Sequence, residues 1–227
     1  MDRIVEEIRK LLPADGAALI ASVPNRFYVT GFETSDGYVY ISQKQAVFLI
    51  DFRYVEKARE TVKSCRVQLS TAPMKELAEL CAADGTKTLF VENEYISMSA
   101  LKSLQEALCG VEIPEDSRLD DTLRDLRSVK NEHELSLIKQ AQKLTDDTFT
   151  YILGQITPGR TEREIMLDME FYMRRLGSEG VSFDFIVVSG KNSSLPHGVP
   201  TDKKVERGDF LTMDFGAVVD GYRSDMT

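Results

Sequence analysis

Phe210-Leu-Thr-Met-Asp-Phe-Gly-Ala-Val-Val-Asp-Gly-Tyr-Arg-Ser-Asp-Met-Thr227 sets two apolar-rich runs on either side of Asp220-Gly221. That dipeptide favours the left-handed backbone angles of a two-residue hairpin turn. A bend there puts Val219 opposite Tyr222, Gly216 opposite Asp225 and Asp214 opposite Thr227. Asp214 and Asp225 then share a face one diagonal step apart, where side chains come within roughly 5–8 Å. Leu211, Met213, Phe215, Ala217 and Val219 form an apolar row on the other face, the expected core side. Gly216 stands between the carboxylates and is expected to leave space there. Two like charges about 6 Å apart repel by about 3 kcal/mol at an effective dielectric near 20. Over a packed sheet the pair needs a raised pKa or a cation; on an exposed hairpin it is two solvated carboxylates. Spacing alone leaves both readings open.

Working outward, the 227 residues suffice for one large or two small domains. The net charge of −9, with no basic run, argues against nucleic acid or an anionic membrane as partner. Ile4, Val5, Ile8, Leu11 and Leu12 recur at helical spacing, and charges interrupt any run that could serve as a signal peptide. No stretch approaches the length of a membrane span. Cys65, Cys81 and Cys109 are odd in number and widely spaced, which reads as reduced thiols in a cytoplasmic protein.

The first half alternates strands and helices. Strands are expected at 17–21, 38–42, 46–50, 66–69 and 88–91, and helices at 52–62, 74–83 and 97–108. The pattern predicts an α/β domain whose sheet is mixed, because 38–42 and 46–50 read as a hairpin. Asp51 and Arg53 read as an ion pair at a strand–helix junction. The polar stretch Glu115–Thr122 is the expected boundary, giving domains 1–124 and 125–227. Beyond it, Asn131/Glu134 and Thr161/Glu164 have the spacing of capping boxes. Leu135, Ile138, Ala141, Leu144, Thr145 and Thr148 form the stripe of the first of those helices. Met166, Met169, Met173 and Leu176 form that of the second, as core filling. His133 falls in a charged first turn and reads as a solvated surface histidine.

Phe183–Gly190 reads as a strand leading into a loop where His197 is flanked by Pro196 and Gly198, with Pro200 beyond. A loop histidine held this way is a functional candidate, with a capping or surface role as the alternative.

Met213–Thr227 resembles the metal-binding hairpin of the pita-bread metallopeptidases, in particular the Xaa-Pro peptidase branch of aminopeptidase P and prolidase. Ser182–Gly216 is similar to the same family, and Asn25–Phe32, Ser35–Gly37 and Asp51–Tyr54 are similar to its creatinase-like amino-terminal domain. The fold class implied is α/β (α+β): an amino-terminal mixed-sheet domain followed by the first part of a pita-bread domain. The activity implied is hydrolysis of the Xaa-Pro bond at the amino end of peptides, by a hydroxide bridging two divalent ions. Mn2+ suits such an oxygen-rich site, with Co2+ or Zn2+ as alternatives. By resemblance Asp214 and Asp225 are metal ligands, and His197 contacts substrate and steadies charge at the reacting carbonyl. Phe183 stands where many relatives have a pocket-lining tyrosine, keeping the ring without the hydroxyl. A homodimer acting on proline-containing peptides in the cytoplasm is implied. A dipeptidase, a creatinase-like C–N hydrolase, or a non-catalytic binding or dimerisation module would share the architecture. The family's remaining ligands, one His and two Glu, have no counterpart among these residues, so residues 1–227 alone are expected to bind metal weakly and to be inactive.

Overall fold

Val5, Ile8 and Leu12 are buried along one side of helix α1 (Asp2–Leu11) and the residue after it, as their spacing requires. Strand β1 (Gly16–Ile20) then sends Ala18 and Ile20 to one face of a sheet and Ala17 and Leu19 to the other. The computed structural model describes residues 2–227. Two compact units divide it, one ending at Val129 and one running from Lys130 to Thr227.

The first unit continues through α2 (Val23–Thr30), β2 (Tyr38–Ser42), β3 (Ala46–Ile50), α3 (Val55–Thr61), β4 (Arg66–Leu69), α4 (Pro73–Asp84), β5 (Thr88–Val91), α5 (Met98–Ala107) and α6 (Arg118–Ser128). Its strands form a five-stranded sheet in the order β4-β3-β2-β1-β5. The β1–β2 and β2–β3 pairs are antiparallel, and β1–β5 and β3–β4 parallel, so the sheet is mixed as the hairpin predicted. Val29, Val55, Ala58, Leu119 and Leu123 cover one face, and Leu77, Leu80, Cys81 and Leu104 the other. The result is three layers, helices on both sides of the sheet. Asp51 and Arg53 pair at 2.5 Å at the end of β3, as read from sequence; an exposed pair of this kind contributes less than about 1 kcal/mol.

Two helices escape the sequence reading. Pro24 occupies the first turn of α2, where proline lacks no needed N–H. The carboxylate of buried Glu92 accepts from Ser22 N–H at 2.8 Å and from Asn25 Nδ2 at 2.7 Å, an anion placed at the start of that helix. The polar stretch 115–122 runs into α6, which buries only Leu119, Asp120 and Leu123. Those leucines pack on the sheet, so the first unit reaches Val129 instead of dividing near residue 124.

In the second unit, α7 (Glu132–Leu153) and α8 (Glu162–Arg175) both begin with complete capping boxes at Asn131/Glu134 and Thr161/Glu164. The buried stripe of α7 is Leu137, Ala141, Thr145, Thr148 and Ile152, with Leu135, Ile138 and Leu144 half-exposed beside it. Met169 and Met173 fill the core from α8, whereas Leu176 lies past the helix end and is exposed. His133 is exposed, as expected. Helix α8 packs on β6 (Ile186–Ser189), which pairs with β7 (Leu211–Asp214), and α7 packs on β8 (Val218–Val219) and β9 (Tyr222–Arg223). Strand β6 starts three residues later than expected, and Phe183 lies in a bend before it. The cause is register. Val181 opposes Ala217 and Ile186 opposes Asp214, so five residues on one strand span three on the other, and Phe183 and Asp184 bulge out.

Candidate metal-binding hairpin

Asp220 and Gly221 have φ of 45° and 75°, the paired left-handed angles of a type I′ turn. Val219 pairs with Tyr222 and Val218 with Arg223. The same register returns where Phe215 and Met226 exchange both backbone hydrogen bonds, at 3.0 and 3.1 Å. Phe215 is fully buried against Phe185, and Met226 packs on the same core. Asp214 and Asp225 each neighbour one member of that pair, so both carboxylates point to the face away from the core. Leu211, Met213, Ala217 and Val219 join Phe215 in or against the core, so the apolar row is covered by the two helices and does not lie open.

Gly216 has a different role from the one its position suggested. A Cβ there would lie 1.9 Å from the Ser224 carbonyl oxygen and 2.5 Å from Ser182 Oγ, so its empty side is filled by backbone. The Ser182 hydroxyl donates to the Ser224 carbonyl at 2.7 Å or the Ala217 carbonyl at 2.9 Å, and Ser182 N–H donates to the Gly216 carbonyl at 3.0 Å. Ala217 N–H turns to the hydroxyl of Ser224 at 2.9 Å, which also bonds Thr145 Oγ1 of α7 at 2.7 Å. The glycine is what lets the strand carrying Asp225 come this close. Glu179 accepts from the Asp220 and Gly221 N–H groups at 3.1 Å each, and the Tyr222 hydroxyl donates to buried Glu134 at 3.0 Å. Serine and glutamate braces of this kind carry no local sequence signal, because their partners lie about forty to ninety residues away.

Asp214 is half-buried, and its Oδ1 is shielded from solvent with no hydrogen-bond partner. Leaving such an oxygen unmatched costs about 1–3 kcal/mol or more for a charged group. Asp225 is exposed. His197 is exposed in a turn on the connection from β6 to β7. A Cβ on the adjacent Gly198 would lie 2.8 Å from Val188 Cγ1. Val188 opposes Thr212, which shares its face with Asp214, so the His197 turn is seated on the Asp214 side of the ladder. Phe183 is half-buried and follows Ser182, the brace on Gly216.

Models of two families match the chain: the creatinase/prolidase N-terminal domain over residues 5–129 and metallopeptidase family M24 over residues 136–227. The chain belongs to the creatinase/prolidase metallopeptidases of family M24. A solved structure described as Xaa-Pro dipeptidase from Bacillus anthracis aligns with TM-score 0.91 at 34% identity, covering 98% of this chain and 62% of that one. The X-Pro aminopeptidase of Thermotoga maritima aligns with TM-score 0.88 at 32% identity, over 97% of this chain and 62% of that one. The Xaa-Pro dipeptidase of Pyrococcus horikoshii is 32% identical over the whole of this chain and 64% of its own length. The chain therefore spans less than two thirds of the length of each of these three relatives.

Membership of a metallopeptidase family implies a divalent metal, and this hairpin fits part of such a site. It offers two hard carboxylate donors on one face and one buried oxygen waiting for a positive partner. Among the described residues no group of three or more His, Cys, Asp or Glu is gathered to hold an ion. Among the described residues, too, no helix is long and apolar enough to cross a membrane.

Acid is expected to loosen the unit around this site. Burial pushes the Glu162 carboxyl up, but hydrogen bonds from Thr201 and Ser189 outweigh it and hold the group below its ordinary 4.5. Asp209 is likewise held low, by Lys203. Carboxyls with a folded-state pKa below the unfolded value contribute stability above that value and lose it as pH falls through the folded one. Denaturation midpoints should therefore be flat near neutrality and fall below about pH 4.5, with a smaller fall in Glu162→Gln.

Proposed function

We propose that this chain carries the amino-terminal domain and the aspartate hairpin of an enzyme that hydrolyses the Xaa-Pro bond at the amino end of peptides. The observation that supports it best is the Phe215–Met226 pair, which sends Asp214 and Asp225 to one face with Asp214 Oδ1 unmatched. In this reading both aspartates hold divalent ions, with Mn2+ preferred because the donors are carboxylate oxygens. A divalent ion bound there supplies Lewis acidity and brings the pKa of its water to about 7. His197, on the Asp214 side, donates a hydrogen bond to the peptide and steadies charge at the carbonyl preceding proline. The Phe183 ring lines the pocket as an apolar wall. Aminopeptidase and dipeptidase action are both represented among the names of the relatives, and a dipeptidase is the second reading. A homodimer rests on the family resemblance alone. A cytoplasmic location fits three cysteines none of which is in a disulfide, and the net charge of −9 fits a peptide substrate better than nucleic acid or membrane.

The test is cleavage of matched peptides by the natural full-length protein with added Mn2+. Peptides with proline second should be cut at least about 10²-fold faster than their alanine counterparts, and chelation should abolish the activity. Xaa-Pro dipeptides against Xaa-Pro-Yaa tripeptides separate the two readings. Equal cleavage of the alanine peptides, or none of either, contradicts the assignment.

A further inference from the structure

The segment bearing His197 leaves the sheet at Ser189 and is recaptured at Thr201. One side chain holds both points. Glu162, in the first turn of α8, is fully buried. Its Oε1 accepts from Ser189 N–H at 2.6 Å, Ser189 Oγ at 2.9 Å and Asn192 Nδ2 at 3.3 Å. Its Oε2 accepts from Thr201 N–H at 3.0 Å and Thr201 Oγ1 at 2.7 Å. One oxygen serves the start of the segment and the other its end. The backbone of α8 adds to the hold, with Glu162 N–H donating to Lys203 O and Arg163 N–H to Thr201 O, both at 3.1 Å. Lys203 Nζ ties the exit back to the entry, reaching Ser189 Oγ at 2.9 Å and Asp209 Oδ2 at 2.7 Å.

Between these anchors the turn at Pro196-His197 has little of its own. Gly198 N–H bonds Leu195 O at 3.1 Å, and Gly198 rests on Val188, but His197 and Val199 are exposed. An exposed loop keeps a fixed geometry only if its ends are fixed, since the entropy of an untethered loop is otherwise regained. All five donors to Glu162 belong to residues 189–201.

We propose that Glu162 is the positioning residue for His197, clamping both ends of the 189–201 segment so that the imidazole is held over the Asp214 face. This rests on the reading of His197 as the substrate-contacting histidine. Glu162 remains a carboxylate at neutral pH, consistent with its lowered pKa, and its place at a helix start favours the charge. Glu162→Gln keeps the volume but replaces one acceptor oxygen with an amide that faces donors. One end of the segment is then released while α8 stays capped by Thr161 and Glu164.

The test pairs two readouts on the full-length protein. In Glu162→Gln, amide exchange across residues 190–200 should rise at least about tenfold and the His197 ring resonances should shift or broaden. At the same time kcat for an Xaa-Pro peptide should fall about 10²-fold, with Mn2+ affinity and KM nearly unchanged. Thr201→Val, which removes a single hydroxyl donor, should show the same pattern at smaller amplitude and guards against failure of the first variant to fold. Wild-type His197 resonances and wild-type kcat per folded molecule in these variants would overturn the clamp. So would a loss of metal affinity in step with activity, the mark of general unfolding. If the wild-type protein cuts no Xaa-Pro peptide, the functional reading fails, and the exchange and resonance readout still decides the clamp.

Discussion

Gly216→Ala is expected to unfold the second unit or displace its hairpin, while Gly180→Ala a short distance away is tolerated. The added methyl group at 216 would sit 1.9 Å from the Ser224 carbonyl oxygen and 2.7 Å from its carbon, both backbone atoms with nowhere to go. Relief requires parting the strands that join Phe215 to Met226 and Ala217 to Ser224. That breaks the hydrogen bonds of Ser182 and Ser224 and loosens fully buried Phe215. Losing several buried hydrogen bonds at about 1 kcal/mol each, with partial loss of an aromatic core residue, sums to about 4 kcal/mol or more. Domains of this size are stable by about 5–15 kcal/mol, so most of that margin disappears. Nothing lies within 4 Å of a Cβ built on Gly180, and the change there should stay within about 0.5 kcal/mol of neutral. Denaturant melts of the two variants provide the comparison.

Asp214→Asn and Asp225→Asn are expected to leave the fold intact and remove the function. Each should lower kcat/KM for Xaa-Pro peptides by at least about 10³-fold, about 4 kcal/mol, the scale of charge stabilisation a catalytic metal supplies. Stability should respond with opposite signs in the two states of the protein. Without metal, Asp214→Asn removes a charge from a group whose Oδ1 is buried and unmatched, so the apo protein should be as stable as wild type or more so. With metal at about 100 times its Kd, wild type gains about 2.7 kcal/mol that the variants forgo. A variant that lost stability without metal and kept the metal-induced gain would show that Asp214 is a structural residue.

The features legible in the sequence are those governed by neighbours along the chain. Asp220-Gly221 demanded a particular turn, the turn set the register, and the register set which residues share a face with Asp214. The capping boxes at Asn131 and Thr161 and the mixed sheet of the first unit were local in the same sense. What stayed hidden was decided by distant partners. Gly216 looked like open space because nothing in its surroundings announces that Ser182 and Ser224 converge on it. Glu162 stands beside its capping neighbour Glu164 with nothing local to mark it as buried. Its burial follows from Ser189 and Thr201, 27 and 39 positions away. Helix α6 was passed over because three leucines are a thin apolar signal in a run of charges, yet Leu119 and Leu123 reach the core. Leu176 fitted the helical spacing of α8 but fell one residue beyond its end, where the periodicity no longer governs direction.

Paramagnetic line broadening by titrated Mn2+ tests the pairing of the two aspartates directly, and works even where binding is weak. The amides of residues 213–215 and 224–226 should broaden together at the lowest additions, and Asn at either 214 or 225 should protect both stretches. Broadening that reaches only one stretch, or that begins elsewhere and survives both substitutions, would show that the carboxylates do not share an ion.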